Sequence, residues 1–138
     1  HRRGPPSVRL APPRALDGGT KTRDHRMDTA FLAAQHCLPR KGPEHRVDEA
    51  QRQALLRALP DWRLAADGQA IVRELSFADF HRTMGFVNAL AYLANREDHH
   101  PDLEIGYGYC RVRWSTHDVG GLSMNDFVCA AKVDALLA

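Results

Sequence analysis

A chain of 138 residues, 43% hydrophobic and 26% charged, can close one domain around a real core and is too short for two of ordinary size. The formal net charge of +2 is unevenly spread: residues 1–26 hold seven basic and two acidic side chains and the remainder 12 against 15, which leaves no basic, aromatic-interleaved face for nucleic acid. No apolar run nears the roughly 20 residues that span a bilayer, no apolar signal core opens the chain, and three cysteines (Cys37, Cys110, Cys129) lack any C-x-x-C pair. The chain reads as a cytoplasmic protein with reduced thiols and with neither a membrane nor a nucleic acid as partner.

Residues 1–26, with four prolines, three glycines and no apolar periodicity, are expected to be a disordered basic leader, non-native in origin if the natural start is Met27. Residues 27–46 form a lead-in broken by Pro39 and Pro43, expected to be irregular apart from one brief helical turn. The main domain is expected over residues 47–138. Its first helix has Asp48 and Glu49 in the opening turn, Ala54, Leu55 and Leu59 at helical spacing, and a stop at Pro60. "WRLAADGQAIVRELSF" reads as two strands joined at Asp67-Gly68, a pair that tolerates the positive φ of a tight turn. A long amphipathic helix follows, with Phe80, Met84, Val87 and Ala91 on one stripe and Phe77 and Leu90 beside it. Leu103, Ile105 and Tyr107 then alternate on a third strand and Cys110, Val112 and Trp114 on a fourth, joined through a turn at Gly108. Ser123 opens a terminal helix whose apolar face uses Phe127, Val128, Ala131, Val133 and Leu137.

The order helix, hairpin, helix, hairpin, helix implies an α+β fold: a four-stranded antiparallel sheet with three helices on one face. Arg111 and Arg113 fall opposite Val112 and Trp114, as an uncovered face requires, and a short edge strand invites pairing with a second copy.

Three histidines stand out in "REDHHPDLEIGYGYCRVRWSTHDVGG". On a helix neighbours diverge by about 100° and on a strand they point to opposite faces, so His99 and His100 can address one ligand only from a turn. Pro101 supplies it by biasing His100 away from helical geometry. His117 lies where the fourth strand ends, so a hairpin brings all three to one edge of the sheet. Imidazoles there could exchange protons near neutrality or hold a catalytic metal. Adjacent histidines suit one ion poorly, no H-E-x-x-H or H-x-H spacing occurs, and further ligands would have to come from Asp98 or Asp118.

"EDHHPDL" followed at this distance by "STHDVGGLSMNDF" resembles the signature of the pterin-4a-carbinolamine dehydratases, also known as dimerisation cofactors of a hepatocyte nuclear factor. The likeness extends through "LPDW", "FADFHRTMGFVNALAYLA" and the last helix, about residues 47–138, and "HC.PR.G..HR" at His36 to Arg46 resembles the bacterial branch. The resemblance implies an α+β fold assembled as a homodimer or homotetramer. It also implies loss of water from 4a-hydroxytetrahydropterin, supplied by an aromatic amino acid hydroxylase, to give quinonoid dihydropterin without a cofactor. By motif position His99, His100 and His117 carry over as the catalytic set, with Asp98, Ser115, Thr116 and Asp118 lining the pterin site. The expected roles are proton donors for His99 and His117 and base or anchor for His100. Asp126 matches a family aspartate, yet its spacing from Ser123 is also that of a capping box. Asn95 stands where the family often has an ionisable residue, which leaves Glu97 or Asp98 to tune His99. The alternatives are a protein-binding dimerisation cofactor or transcriptional coactivator using the exposed side of the long helix, and a histidine metal-dependent hydrolase.

Overall fold

Local chemistry sets the helix starts. The computed structural model describes residues 28–138, and the expectations for the leader over residues 1–26 lie outside the described residues. Helix α1 (Thr29–Ala33) begins at Asp28, whose carboxylate accepts from Phe31 N. Helix α2 (Glu49–Arg57) begins with a full capping box, Asp48 paired reciprocally with Gln51, and closes at Ala58, two residues before Pro60. Helix α3 (Phe80–Glu97) is capped by Asp79, which accepts from Arg82 N at 2.9 Å. Helix α4 (Met124–Leu137) starts from a second capping box between Ser123 and Asp126.

Strands β1 (Arg63–Leu64), β2 (Ile71–Ser76), β3 (Asp102–Ile105) and β4 (Tyr109–Trp114) form one antiparallel sheet in the order β1-β2-β4-β3. The first hairpin turns at Gly68, φ 73°, as the Asp67-Gly68 pair predicts. In the second turn, a Cβ on Gly108 would lie 2.8 Å from the Phe77 carbonyl oxygen, which itself explains the glycine. The register sets Asp102 opposite Arg113 and Ile71 opposite Trp114, so β3 begins beside the end of β4.

The alternation of β4 is as expected: Cys110, Val112 and Trp114 are fully buried against Ile71 and Leu75 of β2, and all four helices add side chains to that core, from Leu32 of α1 to Phe127 and Val133 of α4. The long helix corrects the expected stripe. It buries Thr83, Phe86, Val87, Leu90 and Ala94, whereas Phe80 is 48% exposed and Ala91 lies outside as well. Thr83 can take a core position because its hydroxyl reaches the carbonyls of Asp79 and Tyr107, at 2.9 and 2.8 Å; hydropathy alone ranks Phe80 above it. Tyr107 also departs from expectation. Strand β3 ends at Ile105, and Tyr107 projects from the loop, 70% exposed.

Candidate active site

The C-terminus of α3 delivers His99. Asp98 adopts the left-handed conformation, φ 53°, and His99 N bonds back to Ala94 O at 3.2 Å, so the chain reverses and carries the imidazole toward the start of α4. There His99 Nε2 meets Asp126 Oδ1 at 2.6 Å, with the His99 side chain 11% exposed and Asp126 wholly buried. Trp114, the last residue of β4, lies beneath the imidazole, centroids 5.5 Å apart and planes within 9°.

The direction of each hydrogen bond follows from the donors available. The Asn125 N–H must donate to Ser123 Oγ, at 3.2 Å, and the Ser123 N–H to Asp126 Oδ2, at 2.9 Å. Thr116 gives its one hydroxyl proton to Asp126 Oδ2 at 2.7 Å, so in the 2.9 Å contact between Thr116 and Ser123 the serine donates. Donors thus surround both carboxylate oxygens, and His99 presents Nε2 as an N–H. Its Nδ1 has no hydrogen-bond partner among the described residues. Asp126 is therefore a helix cap and the orienting carboxylate of His99 at once; the two readings of this residue do not compete.

His99 lines a cavity of about 510 Å³ together with Asp98, Thr116, Asp118 and Asn125. Its far wall is residues Cys37–Lys41 of the lead-in, which the sequence reading did not include in the site. The wall is anchored twice. Asn125 binds Leu38 N, Leu38 O and Arg40 Nε at 3.1, 2.8 and 2.9 Å, and Glu97 accepts from Cys37 N at 2.7 Å and His36 Nδ1 at 2.9 Å. Burial opposes ionisation of Glu97, but those hydrogen bonds and the Lys132 charge outweigh it and hold its carboxyl below the ordinary value. Behind the wall, Cys37 Sγ lies 3.4 Å from Cys129 Sγ. The contact with Cys37, burial and the nearby carboxylates push the Cys129 thiol far up and keep it protonated.

The other predicted residues separate. Ser115 and His117 line a neighbouring cavity of about 230 Å³ that shares Thr116 with the first. His117 sits in a single 3-10 turn, His117–Val119, propped by the lead-in: Arg46 binds Val119 O through Nε and Nη2, and Gly42 N binds Asp118 O at 2.9 Å. His100 is exposed, its Nε2 3.2 Å from Asn95 Oδ1. So Asn95 serves His100, Glu97 faces the lead-in, and the carboxylate that meets His99 is Asp126 rather than Glu97 or Asp98. Among the described residues no three His, Cys, Asp or Glu side chains converge as a metal-ligand cluster, and no helix is long and apolar enough to cross a membrane.

A half-covered antiparallel sheet whose hairpin end holds a carboxylate-oriented histidine beside a cavity defines a small α+β protein with a buried histidine–carboxylate pair. The chain matches the family model for pterin 4 alpha carbinolamine dehydratase over residues 45–136, and it belongs to that family. Relatives provisionally named pterin-4-alpha-carbinolamine dehydratase are 59% identical over 109 residues in Xanthomonas campestris pv. campestris strain 8004 and 56% identical over 109 residues in Stenotrophomonas maltophilia K279a. Those alignments take in 79% of this chain and 92% and 94% of the relatives. A crystal structure described as a transcriptional coactivator/pterin dehydratase from Brucella melitensis superposes with a TM-score of 0.65 at 32% identity, covering 67% of this chain and 99% of that one.

Proposed function

We propose that this protein dehydrates 4a-hydroxytetrahydropterin to quinonoid dihydropterin, a hydro-lyase reaction in tetrahydropterin recycling. The observation that carries the reading is the buried His99–Asp126 pair opening on the 510 Å³ cavity. The C4a–O bond breaks as an imidazolium gives its proton to the departing hydroxyl, and a base takes one proton from the ring system, so the protein ends with as many protons as it began. His99, as an imidazolium whose Nε2–H is held by Asp126, is a proton donor at Nδ1–H. His117 is the second donor from the adjoining cavity, and His100 the base or anchor. Asp98, Ser115, Thr116 and Asp118 contact the pterin. The residues need no cofactor for this chemistry, and an aromatic amino acid hydroxylase is the expected source of substrate in a cytoplasmic setting. The lead-in over residues 27–46 and the domain over 47–138 act together, because Leu32 of α1 is fully buried in the common core.

Turnover of freshly generated 4a-hydroxytetrahydropterin tests the reading. His99→Ala and His117→Ala should each retain some activity, and the double variant should fall much further, each acid/base group contributing about a hundredfold to ten-thousandfold, with non-multiplying losses if they act as a unit. A folded double variant with full activity would refute the assignment. Prolonged chelation should leave the rate unchanged; a chelator-sensitive rate restored by zinc would favour a metal-dependent hydrolase.

A protein-binding role is the second reading. It is favoured by the exposed outer side of α3, where Phe80 and Tyr92 are 48% and 66% exposed, and by the coactivator description of the Brucella relative. Homodimer or homotetramer formation draws on the same exposed apolar residues and the edge strands. Light scattering alone and with candidate partners separates the two, since self-assembly appears without any partner.

A further inference from the structure

The wall Cys37–Lys41 lies outside the stretch matched by the family model, which begins at residue 45. The 109-residue alignments with the Xanthomonas and Stenotrophomonas relatives are longer than the stretch from residue 45 to the last residue, so they reach into this lead-in. Residues 37–41 have no regular secondary structure, and irregular backbone needs other partners for its polar groups. Asn125 supplies them. It is 5% exposed, its amide satisfies both polar groups of the Leu38 backbone, and the same Oδ1 fixes Arg40 Nε. Arg40 is half-buried in the cavity wall with one of its five N–H groups committed and no carboxylate partner among the described residues. A planar fork fixed at one corner is suited to a flat heterocycle with adjacent acceptors.

We propose that Arg40 is a substrate-binding residue that donates to the oxo-bearing edge of the pterin bicycle, and that Asn125 is the positioning residue that holds Arg40 and the Cys37–Lys41 wall against the substrate. This rests on the reading of the His99 cavity as the pterin site. Asn125 is the immediate neighbour of Asp126 in the first turn of α4, so one turn of helix fixes the proton donor on one side of the cavity and the substrate-recognising wall on the other.

The test uses the full chain, with kcat and KM on the 4a-hydroxy forms of 6-methyltetrahydropterin and tetrahydrobiopterin, and Kd for 7,8-dihydrobiopterin by fluorescence quenching. Losing a charge-assisted hydrogen bond should raise KM and Kd of Arg40→Ala about tenfold, equally for both substrates because the ring edge is common to them, with kcat changing less than KM. Arg40→Lys should recover little, since an ammonium lacks the fork. Asn125→Ala should raise KM in the same sense, and Asn125→Asp, which keeps the acceptor for Arg40, should raise it less. A folded Arg40→Ala with unchanged KM and Kd would overturn the proposal, as would a loss confined to the substrate with the longer side chain. A wild-type protein that binds dihydrobiopterin in an Arg40-dependent way yet never dehydrates the carbinolamine would refute the proposed reaction while supporting the wall.

Discussion

On the open face of the sheet Arg111 bridges Glu74 and Glu104, Arg113 stands 3.8 Å from Asp67, and Arg111, Arg113 and Glu104 line a cavity of about 540 Å³. At the end of the same hairpin His99 and Asp126 meet beside a cavity of about 510 Å³. The two cavities are nearly equal in size, and charge is abundant in both. They differ in what water can do. Arg111 and its two glutamates are 40 to 60% exposed, so solvent screens them and their geometry is one of many. Asp126 has no exposure, its oxygens accept from Ser123, Thr116 and His99, and these three contacts hold the carboxylate toward the imidazole. The buried pair is distinguished by fixed orientation, and neither cavity volume nor charge count reports that.

The largest expected effect comes from removing that orientation. Asp126→Ala should lower kcat/KM by about a hundredfold or more. It should also lower stability by several kcal/mol, since it deletes a helix cap and leaves buried donors unsatisfied, each of order 1 kcal/mol or more; steady-state kinetics and chemical denaturation measure the two losses. Asp126→Asn sharpens the point. It keeps the shape but turns one of the two acceptors into a donor facing groups that already donate, so activity should still fall steeply. Wild-type kinetics in either variant would remove Asp126 from the site.

A smaller effect is expected at His117, which is exposed on its turn. His117→Ala should cost activity while its melting temperature stays near wild type, which separates a rim residue from the buried pair.

The pH dependence of stability bears on the lead-in. Glu97 has a folded-state value held below the ordinary 4.5 by hydrogen bonds and the Lys132 charge acting against burial. A depressed carboxylate contributes stability that is fully present above its unfolded value and is lost as pH falls through its folded value. Wild type should therefore lose stability below about pH 4.5, and Glu97→Gln, less stable at neutral pH, should lose less over that interval. Melting curves at neutral and acid pH check this; equal acid losses in both proteins would mean that Glu97 does not anchor the wall.

The smallest effect belongs to the open face. Arg111→Ala should change stability by less than about 1 kcal/mol, the range of solvent-exposed ion pairs, and leave dehydration kinetics unchanged. A large kinetic loss there would reverse the comparison between the two faces.

Much of the architecture was legible in the chain because its signals are local. Asp67-Gly68 set a turn, Asp48 and Ser123 set helix starts, and the alternation of Cys110, Val112 and Trp114 set the buried face of a strand. The two hairpins then brought residue 99 and residue 117 to one end of the sheet, as topology requires. What a one-dimensional pattern could not carry was the choice among equivalent faces and partners. Thr83 displaced Phe80 from the core because two carbonyls, one of them 24 residues away, were in reach of its hydroxyl. The partner of His99 was decided in the same way: Glu97 and Asp98 are nearest in sequence, but the left-handed turn at Asp98 points the imidazole at α4, where Asp126 lies 27 residues on. The wall at Cys37–Lys41 was equally out of sight, since its position depends on Asn125, more than 80 residues away. Periodicity and capping are properties of neighbours along the chain, whereas the satisfaction of buried polar groups is settled only when distant segments meet.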